Sequence, residues 1–264
     1  MSTNAPSRPQ IVTDVRLAEF IQYVLNNGPQ PVTLVVCTTK ERFTEQLLAA
    51  CVDTPPTAID EAQRPSDGDT AETDPTAPET HSLLKPLSLL QLADSRKVKL
   101  VFCHDLTHLR AYLATLAIPK SRVKPATHVQ ESNEKSSLFA ILNPIDIHRF
   151  TTSFSAQGLN RTFALAVEAA HTTRKHLVMV EFLEFLEFQH REAEQAVEGY
   201  ELDSDAVPAA SSVGLWDEEV SILNVTTRSF GAGGRGWVGR TVTMKRIAER
   251  WCVFKRFQPQ REEA

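Results

Sequence analysis

Short blocks of mainly apolar residues stand at four points along the chain. The blocks cover 32–37, 98–103, 138–142 and 177–180, and Pro144 follows soon after the third. Blocks of four to eight apolar residues bounded by turn-forming residues are typical of strands that are buried on both faces of a parallel sheet. The pattern therefore predicts a parallel sheet as the centre of the fold.

Between the blocks, apolar residues recur every three or four positions, which predicts helices. The clearest helix covers 158–173, where Leu159 and Phe163 repeat on one face, and Ser155 or Gly158 can cap its start. A helix between two buried strands makes a strand–helix–strand unit, whose strands are parallel. Further helical periods lie at 12–26, 43–51 and 106–116.

The C-terminal part has β-rich segments at 219–225, 240–247 and 249–254. Such segments suit an antiparallel edge added to a parallel sheet. We therefore predict an α/β fold with three layers, a mainly parallel sheet and a β-rich antiparallel C-terminal edge.

Composition separates one folded domain from polar additions. The chain has 264 residues, 42% of them hydrophobic, which is enough for one sizeable core. Residues 53–80 hold eight acidic residues and five prolines, and too little apolar surface to offset their ordering entropy. We predict a single domain over 11–257 with a disordered acidic insertion at 53–80, an acidic loop at 189–212, and tails at 1–10 and 258–264.

Charge is distributed unevenly. The net charge is −5, yet residues 228–256 contain eight Lys or Arg against one Glu. Loops that combine arginine with an aromatic residue can follow a phosphate backbone and stack a base. The alternative is that these cations only face solvent. The predicted nucleic-acid-binding residues are Arg228, Arg235, Trp237, Arg240, Lys245 and Arg246.

Nucleotide motifs lack the context that their chemistry needs. The turn at 38–42 follows a strand, but it has no glycine whose bare amide could wrap a phosphate. Gly231, Gly233 and Gly236 match the letters of a dinucleotide fingerprint, but they precede strands rather than a helix. We predict no cofactor, no tight ATP binding and no catalytic site.

Metal motifs are equally incomplete. Asp146 follows a strand beyond Pro144 and is predicted to stabilise a turn. His104 and His108 are four residues apart with Asp105 between them, a spacing that can face one metal ion. Because no third ligand is evident, we predict exposed histidines. The cysteines form no CxxC pair and are predicted to be reduced and buried, at Cys37, Cys51, Cys103 and Cys252.

The order of elements resembles the core of a RecA-type domain, and within that group the small, divergent RecA paralogues of Shu-type recombination complexes. The stretches that carry the resemblance are 97–102 leading to 109–113, then 138–142 where a Walker B strand would run, then 177–180. By element order it covers about residues 30–257, and the Walker A motif is missing.

The resemblance implies a non-catalytic, nuclear subunit of a homologous-recombination DNA-repair complex. It would assemble with other RecA-like or Shu-type subunits and contact DNA. An apolar face for assembly is expected at Phe182, Phe185 and Phe188, unless these residues cover the protein's own sheet. Two other interpretations stay open: an Elongator-type scaffold subunit in tRNA modification, and an unrelated α/β enzyme. No apolar run approaches the roughly 18 residues of a membrane span.

Overall fold

The computed structural model describes residues 8–26, 31–52, 89–118, 137–149, 151–182, 214–223 and 240–258. The strands are β1 (Gln10–Thr13), β2 (Val32–Val36), β3 (Val98–Phe102), β4 (Leu138–Leu142), β5 (His176–Val180), β6 (Glu219–Ser221), β7 (Thr241–Thr243) and β8 (Val253–Arg256). The helices are α1 (Leu17–Asn26), α2 (Lys40–Val52), α3 (Leu89–Ser95), α4 (Leu106–Ala117), α5 (Ala156–Thr173) and α6 (Met244–Ala248). Single 3₁₀ turns lie at Asp146–His148 and Leu215–Asp217.

Six strands form one sheet in the order β3-β2-β4-β5-β1-β8, and every neighbouring pair is parallel. The register pairs Val36 with both Phe102 and Leu142, and Leu142 with Val180. β2 and β4 are buried along their whole length and β5 from Leu177 onward, as expected for apolar strands inside a parallel sheet. The predicted α/β class with a mainly parallel sheet is confirmed.

Side chains alternate between the two faces of the sheet and divide the core into two halves. Phe139 and Ile141 of β4 join a cluster with residues of α4, α5 and α6. Ala140 and Leu142 of the same strand join a second cluster with residues of α1 and α2. Because successive strand residues point to opposite faces, one central strand supplies both clusters, and the helices form the two outer layers.

The strand β1 was not predicted. It begins at Gln10, the last residue of the predicted N-terminal tail, and lies between β5 and β8. Its central residue Ile11 is fully buried. The helical period at 12–26 therefore contains the end of a strand, a turn and then α1. A strand of four residues is too short for its own periodicity to stand out beside a helix.

An antiparallel pair of strands was predicted in the C-terminal part, and it is present. Its predicted place at the edge of the main sheet was wrong. β6 and β7 form a separate two-stranded antiparallel sheet, whereas β8 joins the main sheet parallel to β1. The segment predicted as a strand over 240–247 is β7 followed by α6. Thr243 ends the strand because its hydroxyl caps the helix by accepting a hydrogen bond from the Arg246 N–H.

Phe182 covers the protein's own sheet. It is 1% exposed and its ring lies 6.0 Å from that of Phe20 in α1. Phe185 and Phe188 lie outside the described residues, as do the segments 53–80 and 189–212. The division of the chain into one domain with disordered additions stays a prediction.

Candidate functional site at the carboxyl edge of the sheet

The residues that follow the four strands β3, β2, β4 and β5 form one row at the carboxyl edge of the sheet. The register places them side by side in the order Cys103, Cys37, Asn143 and Glu181. The row is buried. It crosses the topological switch point of the sheet, where the strand order reverses, because β3 and β4 lie on opposite sides of β2. Ligands of open α/β sheets bind outside the carboxyl ends of strands at such switch points.

Asn143 fixes the geometry of this row. Its φ of 56° lies in the left-handed region, where asparagine is tolerated better than most residues. Its side-chain Oδ1 accepts a hydrogen bond from the Phe182 N–H at 3.0 Å, and its own N–H donates to the Val180 carbonyl at 2.8 Å. Asn143 therefore ties the end of β4 to the end of β5.

We expect Asn143→Gly to lower the free energy of unfolding by about 1 kcal/mol, because the buried Phe182 N–H loses its acceptor. Asn143→Ala should lower the free energy of unfolding by about 1 kcal/mol more, because alanine is strained at the positive φ that glycine adopts freely. Urea denaturation of both variants measures the difference. Equal stabilities of the two variants would show that backbone strain at this position is negligible.

Glu181 is the buried acid of the row. Its carboxylate accepts a hydrogen bond from the Ile145 N–H. Burial raises the pKa of Glu181 well above its usual range, and the hydrogen bond from Ile145 opposes that shift, while the neighbouring Asp146 adds to it. The carboxyl group thus holds the turn after β4 in place and favours its protonated form.

Arg149 connects this turn to the small sheet. Its guanidinium binds both carboxylate oxygens of Glu218, at 2.7 and 3.3 Å, and lies 5.7 Å from the centre of the Phe154 ring. A bidentate pair of this kind orients both side chains. The polar groups beyond β4 and β5 therefore bind one another and hold the loop that leads to α5.

His148 is fully buried below this loop. Its Nδ1 lies 3.2 Å from the carbonyl oxygen of Ser153, and its Nε2 lies 3.0 Å from Oγ1 of Thr162. The Arg110 guanidinium contacts the same Thr162 and also the carbonyl of Gly158. The Ser153 carbonyl can only accept, so Nδ1 carries the proton and Nε2 accepts from the threonine hydroxyl. This network joins α4 to α5.

The two thiols of the row are not activated. Burial raises the pKa of Cys37 well above its usual range and that of Cys103 to about 11. A nucleophilic cysteine needs the opposite, a thiol whose pKa is lowered toward neutrality. All four cysteines are free and buried, so the predicted reduced, buried thiols are confirmed.

Three strand-to-helix turns open at this edge, after β1, β2 and β3, and none of them contains glycine. After β1, Asp14 adopts a φ of 56° and binds Arg256, and the Glu19 carboxylate accepts the Arg16 N–H at 3.3 Å. After β2, Thr39 accepts the Arg42 N–H at 3.3 Å. A phosphate loop needs unengaged amides at a helix start, whereas these turns use their own side chains there. The turn after β2 was predicted from the sequence, and the turn after β1 was not.

No family model, no curated protein and no solved structure matches this chain. None of the helices in the described part of the chain combines the length and the apolar character that crossing a membrane requires. The function is therefore inferred from the chain's own residues.

The predicted nucleic-acid-binding residues fall into two groups. Arg240, Lys245 and Arg246 are exposed at the start of β7 and in α6. Met244 and Ile247 of the same helix are buried, so α6 presents its cations to solvent from a fixed position. The described segment 240–258 contains six Lys or Arg against one Glu. Arg228, Arg235 and Trp237 lie outside the described residues.

Proposed function

We propose that this chain is a non-catalytic RecA-like subunit of a homologous-recombination DNA-repair complex, which contributes assembly contacts and DNA binding. The observation that carries the proposal is the basic surface formed by Arg240, Lys245 and Arg246, in a chain whose net charge is −5. Locally concentrated cations on an acidic protein favour a polyanionic ligand at one place on the surface.

The charges of this basic surface are available for a ligand. Within the part of the chain that the structure describes, Arg240, Lys245 and Arg246 form no ion pair, whereas Arg256 binds Asp14 at 2.8 Å. Exposed side chains on a packed helix can each reach a phosphate without reorganising the fold.

A structural role is supported by the carboxyl edge. Asn143, Glu181 and Arg149 each bind amides or carboxylates of the chain itself. In the described part of the chain, Nδ2 of Asn143 and Nε of Arg149 are buried without a hydrogen-bond partner. Those bonds stabilise the fold, and a bound nucleotide would have to replace them. These bonds favour a supporting role for the row, which holds the neighbouring loops in place.

Assembly is supported by an apolar surface at the β3 edge of the sheet. The exposed leucines there include Leu89 at 87%, Leu100 at 48% and Leu48 at 51%. Leu100 also lines an apolar groove of about 190 Å³, together with side chains of α1, α2, α3 and β2. Exposed apolar groups clustered around a groove are typical of protein interaction sites. The β3 edge is thus the candidate contact for another subunit.

We expect the triple variant Arg240→Ala, Lys245→Ala, Arg246→Ala to bind single-stranded DNA more weakly at low salt, regardless of sequence. Each phosphate contact that is lost means that fewer counterions are released from the DNA on binding. The slope of log K against log salt should therefore become less steep by roughly 0.7 per contact, or about 2 for the three residues. Fluorescence anisotropy at several salt concentrations measures both quantities.

A matched control is the triple variant Lys40→Ala, Lys99→Ala, Arg161→Ala, which removes the same charge from exposed positions elsewhere. If both triples weaken binding equally, the attraction is due to net charge and the basic surface is not a DNA site. Tighter binding of tRNA than of single-stranded or forked DNA would contradict the recombination assignment and favour an Elongator-type subunit.

A further inference from the structure

A cluster of metal-ligating side chains lies at the carboxyl end of β3, separate from the basic surface. His104, Asp105 and His108 bring one ligand atom each to within 4.8 Å of the others. The three side chains are about half exposed, so an ion could reach them from solvent. The spacing of the two histidines is visible in the sequence, but the third ligand, Asp105, was not predicted.

The distances suit a tetrahedral ion. Nδ1 of His104 lies 3.0 Å from Nδ1 of His108, and Oδ2 of Asp105 lies 3.4 Å from Nδ1 of His108. Zinc–nitrogen bonds of about 2.0–2.1 Å at tetrahedral angles place two ligand nitrogens about 3.3–3.4 Å apart. Both distances to His108 are thus close to those of a zinc site, whereas Oδ2 of Asp105 lies 3.1 Å from Nε2 of His104, the other nitrogen of that ring. The His104 imidazole therefore has to rotate for its Nδ1 and Oδ2 of Asp105 to bind the same ion.

Asp105 is held in position before any ion binds. As the N-cap of α4, it accepts the His108 N–H through Oδ1 at 2.8 Å, which leaves Oδ2 facing the two imidazoles. His104, the residue before the cap, is directed back over the first turn, and its ring centre lies 4.0 Å from that of His108.

We propose that His104, Asp105 and His108 form a zinc-binding site with water in the remaining position. Two imidazoles and one carboxylate are ligands that Zn²⁺ accepts readily, and three protein ligands leave the site open. The letters His-Asp-x-x-His resemble the zinc-binding helix motif with two histidines four residues apart. Here the acidic residue caps the helix and reaches the ion itself, so it is a ligand instead of a general base.

The test is calorimetric titration of Zn²⁺ into the full chain, without a polyhistidine tag and after treatment with a chelator. We expect one saturable equivalent. His104→Ala and His108→Ala should each weaken it by roughly 10-fold or more, since even outer-shell partners contribute 10- to 100-fold. Asp105→Asn keeps the helix cap, because asparagine caps as well as aspartate, but removes the charged ligand, and it should also weaken binding.

The matched control is His171→Ala, which removes an exposed histidine from α5 and should leave zinc binding unchanged. Nuclear magnetic resonance of the imidazole nitrogens adds an independent measurement, in which Nδ1 of His104 and His108 should shift as zinc is added. Absence of a saturable equivalent, or equal binding by all four variants, would overturn the site and leave the contact as a hydrogen bond between two imidazoles.

Discussion

Replacement of Gly158 by alanine is expected to lower the free energy of unfolding by about 3 kcal/mol. Gly158 lies in the first turn of α5, where an added Cβ would press against the carbonyl group of Ser153, 2.9 Å from its carbon. Alanine is favoured over glycine in helices by only about 1 kcal/mol, so the steric conflict decides the sign. The Ser153 carbonyl cannot move away easily, because it also binds His148.

Gly214→Ala is the matched control for this substitution. Within the described part of the chain, the added Cβ would meet only Oδ2 of Asp217, at an ordinary 3.4 Å. The free energy of unfolding of this variant should therefore change by less than about 0.5 kcal/mol. Urea denaturation of both variants measures the difference. A Gly158→Ala variant as stable as the Gly214→Ala variant would mean that the loop before α5 adapts freely.

Stability is also expected to fall by about 2 kcal/mol between pH 7 and pH 5, and by about 3 kcal/mol by pH 4, because of His148 alone. Burial is the main cause that lowers the pKa of His148 to about 4, from 6.5 in the unfolded chain. The unfolded chain therefore gains a proton at a higher pH than the folded protein does. The stabilisation is fully present above pH 6.5 and is lost as the pH falls toward 4.

Urea denaturation at several pH values between 7 and 5 tests this, in the wild type and in His148→Gln. The wild type should lose about 2 kcal/mol relative to the variant over that interval. His171→Ala, which removes an exposed histidine, should follow the wild type. Parallel curves for the wild type and His148→Gln would show that His148 titrates normally.

The strands and turns of the carboxyl edge could largely be predicted from the local sequence pattern, but the contacts between its polar side chains could not. The apolar blocks located β2 to β5 within one or two residues, and the Ser155 cap of α5 is present, with its Oγ accepting the Gly158 N–H at 3.2 Å. Asp146 was placed in a turn, as found. The burial of Glu181 and the bond from Asn143 to Phe182 depend on which strands become neighbours, and residues 39 positions apart carry no local sign of contact.

The proposed zinc site also depends on a contact that the sequence pattern does not reveal, although its residues are close together in the chain. His104 and His108 share a face by spacing alone, but the role of Asp105 as a third ligand follows from its extended backbone at the N-cap. That conformation turns Oδ2 toward the imidazoles, whereas a helical Asp105 would lie about 100° from His104 and about 60° from His108 around the helix axis.

The sequence by itself determined the α/β class, the parallel central strands and the position of the main helices, because hydrophobic periodicity is a local property set by side-chain burial. Only the tertiary structure decided that Gln10–Thr13 is a strand, that β8 runs parallel to it, and that 244–248 is a helix. Those choices depend on pairing with distant segments. Short segments without a strong period take the conformation that satisfies the backbone hydrogen bonds of their neighbours.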